Sequence, residues 1–299
     1  MKSYFLRSEK ESSDIRKSFK FFYENKFFNK WMNKFKFDGL SYQEIHYIMK
    51  KLWCDGTIAC SLRINPFMVA DRLPKVVFTP WVMAVTYNCY DFPNYARCIN
   101  VRGVDYISNE TLEVDDGIVL GWCQANHKPV YSMIAPKINQ LVDLEMVIRI
   151  CTKNQKAPWI IGMSPEDKKA VDSLIEDLES DEPILITMLN DLKNAKALSS
   201  EAPFVVDKLE AQRQKIEDDI KTILGVANVG IAQKKEHFTD DEVQTNNSEI
   251  ESNDEEYLKY VEDFIKRCNN AFGTQFSVSL SQERIMEYND YEEEEQDGE

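Results

Sequence analysis

A chain of 299 residues can bury one large core or two modest ones, and 43% hydrophobic with 29% charged residues is an ordinary globular composition. This composition excludes collagen-like, wholly disordered and disulfide-scaffold proteins. The 36 basic and 51 acidic residues leave a formal net charge of −15 at pH 7, which disfavours a protein that simply coats nucleic acid.

The cysteines and apolar stretches indicate the cellular compartment in which the protein is expected. The seven cysteines include no CxxC pair, so we expect reduced thiols in a cytoplasmic compartment. No apolar region follows the basic residues near the N-terminus, so no signal peptide is expected. Apolar stretches such as residues 76–85 fall short of the roughly 18 residues of a membrane span, and no transmembrane helix is expected.

The first element is basic and aromatic. Residues 1–36 carry ten Lys or Arg against four acids, and aromatic residues recur between Asp14 and Phe37 at a spacing that predicts a helix with an aromatic face. That face either packs in the core or stacks on nucleic-acid bases beside a polyanion backbone. In the second case five basic side chains would contact the polyanion or a motor: Arg7, Lys10, Arg16, Lys17 and Lys20.

A capping box of Ser41 and Glu44 predicts a short helix over residues 41–52. Residues 56–131 are rich in β-branched and aromatic residues and are punctuated by turns such as Asp116-Gly117. This pattern predicts several short strands in a small, barrel-like β domain.

Helices and one small mixed module follow. Apolar residues nearly encircle a predicted helix over residues 138–152, so it needs neighbours on more than one side, including other subunits. Residues 158–189 predict a compact βαβ module whose helix opens at Ser164-Pro165. Residues 203–224 predict a long helix with a narrow apolar stripe, ended by Gly225.

The last part of the chain begins with residues 226–253, which show no sustained period and are longer than a usual connection. They predict a functional or disordered loop. A helix from Asp254 to Phe272, ended by Gly273, and a strand over residues 274–280 are expected next. The acidic tail after Tyr288 is expected to be disordered.

The sequence contains none of the motifs GxxxxGK[ST], GxGxxG, GxSxG or HExxH, so neither an enzyme nor a cofactor is expected. Cys123 and His127 have a spacing that zinc ligands can have, but a closed site needs four ligands, so buried structural thiols are favoured. The doublets Asp115-Asp116 and Asp218-Asp219 could bind a divalent cation, although solvated surface is favoured.

Residues 201–212 have the sequence EAPFVVDKLEAQ and are followed by Leu224-Gly225, Lys234-Lys235 and residues 241–252. In this order of segments the chain resembles the portal, or upper collar (head-tail connector), family of picovirinae-type short-tailed bacteriophages. The resemblance implies an α+β portal fold with long stem helices, a small β-rich barrel-like wing domain and a small βαβ clip.

The resemblance also implies a place for each segment. These are a basic aromatic N-terminal segment (1–40), the wing (41–137), stem helix 1 (138–156), the clip (157–200), stem helix 2 (201–225), the tunnel loop (226–253), a wing and crown helix and strand (254–280) and an acidic disordered tail (281–299).

By the same resemblance the protein would form a dodecameric ring at one capsid vertex, as the channel for packaging and ejection of double-stranded viral DNA. A separate packaging ATPase, with or without a packaging RNA, would supply ATP hydrolysis. Further partners would be the major capsid and scaffolding proteins and the lower collar or tail protein, with no membrane. The protein would lie in the virion, and in the host cytoplasm during assembly.

The resemblance assigns four residues to the DNA channel: Lys208, Lys234, Lys235 and His237. A ring would turn each lysine into a band of positive charge on a mostly acidic wall, along which DNA can slide. Family members have a further lysine before the Ala-Pro segment, where this chain has Ser199 and Ser200. Without the resemblance, Lys208 would be a surface lysine paired with Asp207 or Glu210.

Two other classes of protein stay open. The first is a monomeric or dimeric adaptor that binds a polyanion through residues 2–36 and a protein through its acidic tail. The second is a thiol- or metal-dependent enzyme, which predicts stoichiometric zinc or a cysteine with a low pKa.

Overall fold

The computed structural model describes residues 2–63, 75–83, 86–99, 111–156, 159–162, 196–199, 205–227 and 240–281. The chain divides into two units. The first contains Met1–Lys20 and Asn139–Glu217, and the second contains Phe21–Ile138 and Asp218–Glu299.

Helices and strands alternate irregularly along these ranges. The helices are α1 (Lys2–Asn33), α2 (Tyr42–Cys54), α3 (Val130–Lys156), α4 (Val206–Ile223) and α5 (Asp240–Phe272). The strands are β1 (Phe35–Asp38), β2 (Thr57–Arg63), β3 (Lys75–Thr79), β4 (Trp81–Met83), β5 (Tyr95–Cys98), β6 (Leu112–Glu113), β7 (Ile118–Trp122), β8 (Trp159–Gly162), β9 (Lys196–Ser199) and β10 (Ser277–Leu280). None of these described helices is long and apolar enough to cross a membrane.

The described part of the second unit contains three antiparallel sheets. Two have three strands, in the orders β3-β2-β7 and β4-β5-β6, and the third pairs β1 with β10. The strands predicted over residues 56–131 are therefore confirmed, as is the turn at Asp116-Gly117, where the Gly117 amide donates to the Glu113 carbonyl at 3.0 Å. Closure of these strands into a barrel stays a prediction.

Helix α5 covers the sheet that contains β7. A Cβ atom at Gly121 would lie 2.5 Å from the ring of Phe264, so only a glycine lets helix and strand approach this closely. Ile118, Val119 and Leu120 are buried in the same strand. This packing explains why β7 is apolar on both faces instead of alternating.

The aromatic face of α1 packs in the core. Tyr23, Phe27 and Trp31 are buried at helical spacing, and the ring of Trp31 lies 5.6 Å from that of Trp53 on α2. Only two of the aromatic residues in this stretch, Phe21 and Phe22, are largely exposed. This face therefore packs in the core and does not stack on nucleic-acid bases.

The helix predicted from Asp14 to Phe37 is confirmed in its middle but wrong at both ends. It begins at Lys2 and stops at Asn33. Phe35 and Phe37 are buried while Lys36 and Asp38 are exposed, a period of two, and the segment pairs with β10 as a strand. Strand pairing therefore overrides the helical spacing of the aromatic residues there.

The capping box that begins α2 is confirmed. The Ser41 amide donates to the Glu44 carboxylate at 2.8 Å, and the Glu44 amide donates to the Ser41 hydroxyl at 3.4 Å. The buried face of the helix consists of Ile48, Met49, Leu52 and Trp53.

Helix α3 includes the residues predicted as stem helix 1 but begins eight residues before Ile138, with Pro136 inside it. The sequence prediction began at Ile138 because the apolar positions that nearly encircle a helix begin there, and a proline within a helix usually ends it. Val130, Ile134 and Ile138 are all fully buried on one face, and their burial stabilises the first turns in spite of the proline.

The described part of the predicted clip is one antiparallel strand pair. The strand predicted near residues 158–161 is confirmed as β8, and its partner is β9, with Trp159 opposite Ser199. Strand β9 was not predicted, because its four residues carry no apolar period. The helix from Ser164 and the strand over residues 183–189 lie outside the described residues, so the βαβ module stays a prediction.

Helix α5 corrects the predicted tunnel loop, because residues 240–253 are helical. Ile250 is buried seven residues before Tyr257 and extends its stripe, but the preceding turns are polar and gave no hydrophobic period. The acidic sequence at residues 240–242 favours a helix N-terminus and could have signalled this start. Residues 228–239 and 282–299, which include the acidic tail, lie outside the described residues.

Candidate nucleic-acid interface

An exposed face with two lysines runs along α4 in the first unit. Lys208, Ala211, Gln212 and Lys215 are all exposed. Lys208 and Lys215 are seven residues apart, so their Cα atoms lie on the same side of the helix about 10.5 Å apart. We call these two residues the lysine face.

The carboxylates near the lysine face have other partners. Arg213 donates to Glu210 at 2.7 Å and to Glu145 of α3 at 3.3 Å. The pairing of Lys208 with Glu210 that the sequence left open is therefore not formed. Within the described ranges no carboxylate pairs with Lys208 or Lys215, so both ammonium groups are available to an anion.

Sequence reasoning found Lys208 and missed Lys215. Lys208 was singled out by resemblance, whereas Lys215 stands among alternating charges in a segment that also contains Glu217 and Asp218. The seven-residue spacing was the available signal, because it places two cations on one helical face. The ion pairs of the helix distinguish Lys215 from Lys221, which pairs with Asp218 at 2.7 Å.

The five basic residues predicted in the N-terminal segment all lie on α1, but three of them already have protein partners. Arg16 pairs with Asp143 of α3, and Lys17 pairs with Asp14 at 3.2 Å. Lys20 is half-buried and also has an interaction partner. Exposed ion pairs contribute at most about 1 kcal/mol, so a polyanion could displace those of Arg16 and Lys17. Only the helical backbone is described for Arg7 and Lys10.

A second cluster, in the second unit, closes the C-terminus of α4. The helix ends in a Schellman motif, with Gly225 at φ +61° and the Val226 amide donating to the Lys221 carbonyl at 2.8 Å. The predicted helix end at Gly225 is confirmed. Side chains also donate to carbonyls at this helix end. The Asn253 side-chain amide donates to the Thr222 carbonyl at 2.9 Å, and the Tyr257 hydroxyl donates to the Ile223 carbonyl at 3.3 Å.

Lys34 completes this cluster, which we call the loop base. Its ammonium donates to the Leu224 carbonyl at 3.0 Å and lies 2.8 Å from the Asp254 carboxylate, with both side chains almost fully buried. The same ammonium lies 4.3 Å from the centre of the Tyr257 ring. Lys34 thus holds together the two ends of residues 225–253. Lys234, Lys235 and His237, predicted in the channel, belong to that segment but lie outside the described residues.

Replacing Gly225 with Ala is expected to lower the free energy of unfolding by about 3 kcal/mol. Its positive φ disfavours a Cβ atom by about 1 kcal/mol, and that atom would lie only 2.7 Å from the Asp254 amide nitrogen, which adds overpacking. Gly273→Ala is the matched control, since Gly273 has φ +66° and nothing within 4 Å of such an atom. Equal losses in denaturant titrations of the two variants would contradict the close contact at the loop base.

Within the described ranges, the cysteines and acidic doublets lie in other environments than those of metal ligands. Burial raises the pKa of the Cys123 thiol to about 12, and the ring of His127 stacks on that of Trp122 at 4.2 Å. Among the residues that the structure describes, no group of three or more His, Cys, Asp or Glu side chains could hold a metal ion.

The doublets were expected as solvated surface, but three of their carboxylates form ion pairs. Asp115 pairs with Arg267 at 3.0 Å. Asp218 and Asp219 are half-buried and pair with Lys221 and Lys137, each at 2.7 Å.

Comparison with known families decides the class of this chain. The Phage Connector (GP10) family matches residues 7–285. The chain belongs to this family. The match covers most of the sequence, including every described helix except the first five residues of α1, and it confirms the family expected from the order of segments.

Two solved structures are similar to this phage connector chain. One comes from the portal and tail of native bacteriophage P68, with 13% sequence identity, a TM-score of 0.48 and coverage of 98% of this chain and 96% of that chain. The other is an HK97 family phage portal protein from Corynebacterium diphtheriae, with 9% identity, a TM-score of 0.49 and coverage of 88% and 93%.

Proposed function

We propose that twelve copies of this chain form a ring at one capsid vertex, and that the ring is the channel for packaging and ejection of double-stranded DNA. Membership of the Phage Connector family over residues 7–285 carries this proposal. The ring is not an enzyme, and a separate packaging ATPase hydrolyses ATP. It binds capsid and scaffolding proteins during assembly in the host cytoplasm, and the tail in the virion.

An exposed apolar stripe on α3 supports the ring. Val147 is 43% exposed and Ile150 is 54% exposed, and residues three apart are neighbours on a helix. The sequence predicts that this helix needs neighbours on more than one side. In a closed ring of identical chains a second copy covers the stripe.

The lysine face of α4 supports the channel. In the ring, Lys208 and Lys215 each become a band of twelve ammonium groups, and the bands follow the helix about 10.5 Å apart. Neither lysine has a carboxylate partner within the described residues, so the bands attract the phosphates of passing DNA. Lys215 then supplies a second band in a chain that has Ser199 and Ser200 where the family has a further lysine.

The double variant Lys208→Ala, Lys215→Ala is expected to form rings normally but to retain packaged DNA poorly. Removing twenty-four positive charges leaves the part of the wall that α4 forms without attraction for phosphate, so we expect at least a tenfold drop in filled particles per ring at physiological salt. A packaging assay with nuclease protection measures it. Lys50→Ala, at an exposed lysine on α2, is the control. Equal yields of filled particles from the double variant and from Lys50→Ala would show that α4 does not line the channel.

The variant Lys234→Ala, Lys235→Ala tests the predicted tunnel loop separately. We expect intact rings with impaired retention or translocation of DNA, because these lysines would contact phosphate while the loop base holds the ends of their segment. Nuclease protection after completed packaging measures retention. Unchanged packaging together with unchanged retention would defeat the assignment of Lys234 and Lys235.

A further inference from the structure

A cleft in the second unit lies between the β5-β6 pair, the end of β7 and α5, and has a volume of about 630 Å³. This volume lies within the range of about 300 to 1,000 Å³ that is typical of ligand-binding pockets. The rings of Trp122 and His127 stack 4.2 Å apart with 13° between their planes. Phe92 places its ring edge-on to both, at 6.2 and 5.5 Å. Three aromatic rings therefore form one wall.

The loop that carries Phe92 is held in place by its own hydrogen bonds. The Asn88 side-chain oxygen accepts from the amides of Tyr90 and Phe92 at 2.9 and 3.0 Å, and the Asn88 amide donates to the Phe92 carbonyl at 2.8 Å. The wall is thus formed before any partner arrives. Tyr90 at the loop tip is 79% exposed and Tyr95 at the rim is 39% exposed.

The charged part of the described lining is mostly acidic. Among the described residues it contains Glu113, Asp115 and Asp263 and one cation, Arg267. Arg267 donates to Asp115 at 3.0 Å and to Asp263 at 2.8 Å, which leaves Glu113 as a carboxylate with no ion pair among the described residues. Burial lowers the pKa of His127, so His127 adds no positive charge at neutral pH. The described lining of the cleft therefore carries a net negative charge.

We propose that this cleft binds a basic segment of another protein, with a lysine or arginine side chain against the aromatic wall and beside Glu113. Aromatic faces attract cations, and a carboxylate at the rim adds charge complementarity. The exposed tyrosines at the edge supply flat apolar surface for the rest of the segment. A nucleic acid could stack on the same rings, but the surplus of carboxylates repels its phosphates.

Arg267 already makes the kind of contact that we propose for the incoming cation. Its guanidinium lies 5.9 Å from the centre of the Trp122 ring while it pairs with two carboxylates. An incoming cation would repeat this arrangement against Phe92, the exposed ring of the wall, with Glu113 in place of Asp115 and Asp263. The proposal goes beyond the DNA channel and does not depend on the ring.

The test is fluorescence anisotropy with the full-length protein at 150 mM salt. The probe is a labelled heptapeptide that alternates glycine and arginine. The same peptide with glutamine in place of arginine and a ten-nucleotide oligothymidylate serve as comparison probes. Because the whole chain is negative, each cleft variant is compared with a control variant that removes the same charge or ring elsewhere. Glu113→Gln is compared with Glu251→Gln, and Tyr95→Ser with Tyr42→Ser, since Glu251 and Tyr42 are also exposed but lie outside the cleft.

We expect the arginine peptide to bind, with Glu113→Gln and Tyr95→Ser each weakening binding at least about fivefold and their controls less than twofold. The glutamine peptide should not bind. Equal effects within either pair, absence of arginine peptide binding, or competition by the oligothymidylate would overturn the proposal. Circular dichroism of all four variants establishes that each is folded.

Discussion

Replacing Asp254 with Asn is expected to lower the free energy of unfolding by about 3 kcal/mol. The carboxylate lies 2.8 Å from the Lys34 ammonium, with side-chain exposures of 5% and 1%. Removing one partner of a buried ion pair leaves the other charge without compensation in a medium of low dielectric constant, which costs about 3 to 5 kcal/mol. Denaturant titration at pH 7 measures the loss.

Two further variants show whether the ion pair is the cause. Glu262→Gln breaks the exposed pair of Glu262 with Lys266 on the same helix and should cost less than about 1 kcal/mol. The double variant Lys34→Met, Asp254→Leu removes both charges and should recover most of the stability lost in Asp254→Asn. If Asp254→Asn is no more costly than Glu262→Gln, the loop base does not depend on this pair.

Replacing both Val147 and Ile150 with Asp is expected to abolish the ring and leave folded monomers. In a ring these two exposed residues of α3 lie against a second copy, and every interface would then contain two buried carboxylates without partners. Because the substitution is repeated at each interface of the ring, we expect assembly to be lost completely and not in part. Mass photometry measures the assembly state, and circular dichroism measures helix content.

The control for this variant is Thr152→Asp, which adds a carboxylate to another exposed position of the same helix. It should assemble like the natural chain. Rings of unchanged mass from the Val147, Ile150 variant would show that the apolar stripe of α3 is not an interface between copies.

Local chemistry made part of the fold predictable. The Ser41 and Glu44 capping box needs only four consecutive residues, and the end of α4 at Gly225 needs only a residue that tolerates positive φ. Both predictions are confirmed. Features of this kind are visible in a sequence because every residue that forms them is close in the chain.

Long-range contacts account for what sequence reasoning missed. Lys34 was one of ten basic residues in an exposed-looking N-terminal segment, yet its partner Leu224 is 190 residues away. Phe35 continued the aromatic spacing of α1 but forms a strand because β10 pairs with it. Lys215 became a candidate only when the ion pairs around it were known. The contacts that determine the structure at these three residues are not visible in a local sequence pattern.

The native mass of the purified protein, by mass photometry with negative-stain imaging of the same sample at moderate salt, shows whether the chain forms the ring. Twelve chains of 34.8 kDa give about 418 kDa, and we expect this mass with a central hole wide enough for double-stranded DNA. A monomer or dimer that persists at all concentrations, and with capsid and scaffolding proteins present, would contradict the ring and favour an adaptor that binds a polyanion through its basic N-terminal segment.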